Sequence, residues 1–163
     1  MASDYFLKIK DVEGEALAEG HAKEIELLSW SWGASNPGGM HFGSGGGTGK
    51  VSVQDLSFAF RVGKETPKLI EFCCTGKHIS DATLTARKTG GDAKPYDYIT
   101  IKLTDCVVAS YQTGGSGGDD VPVDSASLNF AKIEYDYKIQ DSAKGTVASA
   151  GKTTYDVQKE QKS

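Results

Sequence analysis

The residues of this chain that could do chemistry are few, and they are weighed first. Cys73 and His78 are close enough in sequence to suggest a thiol–imidazole pair. A nucleophilic pair of that kind also needs a third group to orient the base, and none is indicated nearby. Cys73 further belongs to the apolar stripe of a helix, which makes it a core residue. His21, His41 and His78 lack the spacing of a metal site, which requires three or four convergent ligands, so hydrogen-bonded or solvated imidazoles are expected and no metal. Glu13 with Glu15, and Asp119 with Asp120, are carboxylate pairs placed in turns, where solvation is the ordinary role. The run Gly43-Ser44-Gly45-Gly46-Gly47-Thr48-Gly49-Lys50 invites comparison with a phosphate-binding loop. It has Ser44 where the motif needs glycine and Val51 where it needs Ser or Thr, and a strand, not a helix, is expected to follow. No catalytic residue and no cofactor are therefore expected.

Composition narrows the partners. The 163 residues carry a net charge of -4, and an acidic surface suits neither nucleic acid nor an anionic membrane. A chain of this length folds as one domain, residues 1–163, burying about 70% of the surface its unfolded form exposes. Three cysteines, two of them adjacent, do not make a disulfide framework, and a reducing cytoplasm is the expected compartment. Met1 to Lys10 has charges within its short apolar run, unlike a Sec-type signal peptide, and no window is apolar enough for a membrane span.

The elements read mainly as strands. The run Ile25 to Gly33 contains both tryptophans, and its alternation predicts a strand with Leu28, Trp30 and Trp32 on the core side and Leu27, Ser29 and Ser31 opposite. Tyr5 to Lys10 is a shorter strand, and Glu15 to Lys23 a polar loop. Within Lys50 to Val62 the apolar parity changes from Val51 and Val53 to Leu56, Phe58 and Phe60, so one residue must be absorbed near Gln54-Asp55. Thr66 to Gly76 is the one helix, with Thr66 as N-cap, Pro67 in its first turn, Gly76 past its end, and Leu69, Phe72 and Cys73 along one stripe. Strands return from Ile79, turn at Lys88 to Asp92, and continue from Tyr96 to Tyr111 with a bend or turn near Thr104-Asp105. A second kinked strand changes parity after Phe130. Gln140 to Gly151 reads as loop, before a last strand near Thr153 to Gln158.

These residues resemble the haemolysin-coregulated protein family, which forms the inner tube of type VI secretion systems. The resemblance is carried over nearly the full chain by Leu28-Ser29-Trp30-Ser31-Trp32-Gly33, Val53-Gln54-Asp55-Leu56-Ser57-Phe58, Pro67-Lys68-Leu69, Gly76-Lys77-His78, Thr113-Gly114-Gly115-Ser116-Gly117-Gly118 and Leu128-Asn129-Phe130-Ala131. Thr154-Tyr155-Asp156 departs from the family pattern, keeping an aromatic where many members have a Gly-Trp pair. The resemblance implies a non-enzymatic, mainly β fold: two packed antiparallel sheets forming a β-barrel-like sandwich with one α-helix. It further implies a homohexameric ring, stacking of rings into a tube, effector proteins carried in the lumen, contact with the spike and sheath proteins of the machine, and export from the bacterial cytoplasm.

Joined to the strand parity, this puts Ser29 and Ser31 on the lumen. It puts Trp30, Trp32, Phe58, Phe60, Phe72 and Phe130 in the core. The glycine-rich loops, through Asn36, Pro37, Gly38, Gly45, Gly46, Gly47, Gly115, Gly117 and Asp119, are expected at subunit or ring contacts. The competing class is a stand-alone β-sandwich binding module for carbohydrate or protein, whose tryptophans would be exposed to stack on a ligand.

Overall fold

The computed structural model describes residues 2–38, 50–89, 94–141 and 145–162. In chain order the elements are β1 (Ala2–Ile9), β2 (Ile25–Leu27), β3 (Ser29–Ser31), β4 (Ala34–Ser35), β5 (Ser52–Val53), β6 (Leu56–Arg61), α1 (Thr66–Thr75), β7 (Ile79–Thr89), β8 (Tyr96–Gln112), β9 (Val123–Gln140), β10 (Val147–Asp156) and β11 (Gln161–Lys162). Every pairing among them is antiparallel.

The large sheet closes on itself. From β1 the order runs through β7 and β8 to β9, and the first half of β9 then pairs with β6, which pairs with β3. β3 follows β2 after a single residue, and β2 pairs back onto β1. The two packed layers are thus opposite walls of one barrel, and residues 25–31 are its seam, giving their first half to β1 and their second to β6. Closure of this kind removes the free sheet edges that such long strands would otherwise expose.

The seam corrects one expectation. Leu27 is buried and Leu28 is 41% exposed, the reverse of what simple alternation requires. Leu28 is where the run changes partners: its N–H donates to the Ala59 carbonyl at 2.8 Å, and the change uses up one residue of the alternation. Ile25 and Leu27 face inward before it, and Trp30 and Trp32 pack against the core after it. Both tryptophans are half-buried instead of enclosed, with Tyr5 edge-on to Trp30.

Phe58, Phe60, Phe72 and Phe130 are buried, together with Leu7, Leu84, Ile101, Leu103 and Leu128. The parity change near Gln54-Asp55 is the gap between β5 and β6. Helix α1 brings Leu69 and Phe72 onto this core, while Cys73 is only half-buried against it. Its N-cap is Glu65, not Thr66; Thr66 is the first helical residue, and its Oγ1 accepts from the Gly63 N–H at 3.0 Å. Gly76 closes the helix in the left-handed conformation, where glycine carries no Cβ penalty. The strand β8 runs unbroken through Asp105, which absorbs the expected bend with a positive φ of 53°.

The second correction is β10. The second half of β10 overlaps the last strand expected near Thr153 to Gln158, but the strand begins earlier: residues 147–151, read as loop, are its exposed first half, paired along β9 with a bulge at Ser149/Gly151. That first half buries almost nothing, so hydrophobic alternation could not reveal it.

Candidate functional site

The groups with the strongest individual chemistry do not converge. Cys73 is half-buried, Cys74 and His78 are exposed, and no hydrogen bond joins them among the described residues. Burial, with Asp81 and Asp105 nearby, pushes the Cys106 thiol up to about 12, which keeps it protonated and unreactive. His21 is buried, stacked on Phe6, and bonded through Nδ1 to Glu24 at 2.9 Å and through Nε2 to Asp97 at 3.0 Å. It fastens the loop after β1 to the start of β8. His41 lies outside the described residues. Among the described residues no group of three or more His, Cys, Asp and Glu side chains could hold a metal ion.

Glu13 and Glu15 also separate. The ammonium groups of Lys64 and Lys23, at 3.0 and 3.3 Å, hold the Glu13 carboxyl below its ordinary range, while Glu15 approaches the Lys64 N–H. Asp119 and Asp120 are exposed. Lys50 leads into β5 and not into a helix, so no helix N-terminus stands behind the glycine run.

What the fold does bring together is hydroxyls. Along β9, Asp124, Ala126, Leu128 and Phe130 point into the barrel, so Ser125, Ser127 and Asn129 lie on the other face. Cross-strand partners share a face, and the register sets Ser31 opposite Ser57, Ser57 opposite Ser127, and Ser127 opposite Ser110. One row of four serines thus crosses β3, β6, β9 and β8. A parallel row is Ser29, Ala59, Ser125 and Gln112. The Ser110 and Ser127 hydroxyls are 2.6 Å apart, and Asn129 Nδ2 donates to Asp55 Oδ1 at 2.8 Å. A shallow depression of about 280 Å³ lies among Gln54, Asp55, Ser57, Ser110, Gln112 and Ser127.

Neither row carries a charge. Serine hydroxyls both donate and accept, so this face can meet polypeptide of varied sequence through many weak, interchangeable hydrogen bonds. Ser29 and Ser31 are its exposed margin. Ser57, Ser110, Ser125, Ser127 and Gln112 were not singled out from sequence; their signal was the alternation with core residues, but only register shows that they form rows.

The loop residues are surface features. Asn36, Pro37 and Gly38 are exposed, and Gly38, at a φ of 64°, donates its N–H to Asn36 Oδ1 at 3.1 Å. Gly115, Gly117 and Asp119 are exposed between β8 and β9. Gly45, Gly46 and Gly47 lie outside the described residues.

The family described as "Type VI secretion system effector, Hcp" matches residues 6–137. The chain is 50% identical over 146 residues to Protein hcp1 of Pseudomonas aeruginosa strain PAO1, spanning 88% of this chain and 90% of that protein. This chain belongs to the Hcp family. Among solved structures it superimposes on a type six secretion system protein with a TM-score of 0.90 at 27% identity, covering 99% of this chain and all of the other. Hcp1 from Salmonella typhimurium gives 0.77 at 30% identity, with both chains fully covered. A type VI secretion system effector from Yersinia pestis gives 0.74 at 34% identity, covering 94% of this chain and all of that one. As an Hcp protein the chain is a secreted tube and effector component of type VI secretion, and not an enzyme.

Proposed function

We propose that six copies of this Hcp chain close into a ring whose channel is lined by the serine rows, and that rings stack into the tube of a type VI secretion machine. The observation that carries this reading is the pair of uncharged rows holding Ser29, Ser31, Ser57, Ser110, Ser125 and Ser127 opposite the barrel core, with charge only at their margins, in Asp55 and Arg61. A channel wall of small hydroxyls stays wide and hydrated, and it retains a small effector protein without anchoring it. A ring of six is what the family resemblance implies; head-to-tail contacts between different patches of identical copies are what close such rings. Asn36 to Gly38 and Gly114 to Asp120 are suited to those contacts, since glycine admits close backbone approach. The same tube would meet the spike and sheath proteins of the machine and leave the bacterial cytoplasm with them. Its acidic balance fits neither nucleic acid nor membrane insertion.

Native mass measurement with negative-stain imaging tests assembly, and six-membered rings are expected. Ser31→Gln and Ser57→Gln should then leave ring formation intact and lower the amount of co-purifying effector several-fold. A monomer at high micromolar concentration, or glutamine variants that lose the ring while the monomer stays folded, would refute the placement of this face. Hydrogen exchange compared between rings and monomer should show added protection at residues 36–38 and 114–120; unchanged exchange there removes these loops from the contacts.

A further inference from the structure

Away from the serine face, three carboxyl groups meet where the loop between β1 and β2, the turn between β6 and α1, and the start of β9 come together. Asp124 is completely buried; its Oδ2 accepts from the Tyr111 hydroxyl, while its Oδ1 has no hydrogen-bond partner. Glu65 is 4% exposed and, as N-cap of α1, makes no side-chain cap. Glu15, exposed on the loop and accepting the Lys64 N–H at 3.4 Å, approaches Glu65 from outside. A Cβ placed on Gly63 would sit 2.5 Å from Glu15 Oε2 and 2.8 Å from Glu65 Oε2, so those two oxygens are no farther apart than the sum of these distances. Among the described residues none of the three carboxyls is in an ion pair. Lys64, the nearest lysine in sequence, gives its ammonium to Glu13, and Arg61 and Glu26 share with Glu15 and Glu65 the lining of a cavity of about 140 Å³.

A buried carboxyl this close to a like charge resists ionisation, and a proton held on Glu65 relieves the repulsion. We infer that this junction is a proton-binding site, at which the folded chain holds a proton that the unfolded chain gives up, so that mild acid tightens the seat of α1 against the β1–β2 loop and β9. The Glu65 carboxyl is independently held above its ordinary range, first by burial and then by Glu15 and Asp124. A carboxyl raised on folding costs stability in full above its folded pKa. That cost fades as the pH falls through the folded value and vanishes below the unfolded value, where both states are protonated.

Two measurements on the full-length protein test this. Urea midpoints from pH 7.5 to 5 should show Glu65→Gln more stable than the wild type at pH 7.5, with the gap closing toward pH 5. The ratio of the two folding constants should change by at most about tenfold per pH unit, the limit for one proton. Carboxyl ¹³C titration of the unsubstituted protein should place the Glu65 resonance above the ordinary glutamate range, and Asp124→Asn should bring it down. A gap independent of pH, or a Glu65 resonance that titrates as a solvated glutamate, overturns the inference. The titration decides even where a variant fails to fold.

Discussion

The two halves of β9 lie on one strand and have opposite characters. From Val123 to Phe130 it runs between β6 and β8, with Asp124, Ala126, Leu128 and Phe130 buried and serines on the other face. From Ile133 to Gln140 it runs between β8 and β10, outside the closed circuit. There the inward parity passes from buried Ile133 to Tyr137 and Ile139, which is 50% exposed, and the opposite parity becomes Lys132, Glu134, Asp136 and Lys138. The change comes at Ala131, whose carbonyl accepts the Val157 N–H at 2.7 Å from beyond β10. The first half is barrel wall and the second is an arm. Charges lie along the arm and are missing from the serine rows, which carry them only at their margins, in Asp55 and Arg61.

The sharpest way to break this contrast is to remove an inward side chain from each half. Phe130→Ala should cost about 3 to 5 kcal/mol, because a closed barrel cannot collapse into the space left behind. Ile139→Ala should cost less than about 1 kcal/mol, since half of that side chain is already in water. Urea denaturation of the two variants checks this, and equal losses would mean that the arm is packed as tightly as the wall.

A smaller effect separates the polar residues of the wall from those of the arm. Tyr111→Phe deletes the donor to the fully buried Asp124 and should cost about 2 to 3 kcal/mol at neutral pH, the cost of leaving a buried carboxylate without its hydrogen bond. Asp136→Asn, which alters an exposed acceptor of the Ser149 hydroxyl, should shift stability by less than about 1 kcal/mol. If Tyr111→Phe is neutral, another donor satisfies Asp124 in the native state.

How far the sequence reveals this architecture follows from where burial is one-sided. The breaks at Gln54-Asp55 and after Phe130, the helix over Thr66–Thr75, and the β7–β8 hairpin all show as changes of apolar period, because each packs one face on the core. Leu28 defeats alternation because a strand that changes partners loses a residue to the crossing, and no side chain announces it. The first half of β10 is invisible for the opposite reason: an exposed arm held by backbone hydrogen bonds needs no hydrophobic pattern. Strand alternation joined to the family resemblance singles out Ser29 and Ser31, but the rows they belong to exist only in the cross-strand register, which couples positions as distant as Ser31, Ser57 and Ser127. The Glu15–Glu65–Asp124 junction is equally nonlocal, and nothing in the spacing of those acids indicates it.

The least effect is expected where the arm looks most elaborate. Lys152 Nζ lies 3.1 Å from Glu134 Oε1, joining directly paired strands β9 and β10, which is the geometry in which cross-strand charges help. Both groups nevertheless reach solvent, and holding two long side chains in one arrangement costs most of what their attraction returns. Glu134→Gln should therefore change stability by less than about 0.5 kcal/mol at low salt and by nothing measurable at 1 M salt, where screening acts over about 3 Å. Urea midpoints at the two salt concentrations decide the matter. A loss above 1 kcal/mol that persists at high salt would mean that the arm is bound into the barrel through its charges, and that the serine wall owes its position to the arm as well as to the closed circuit of strands.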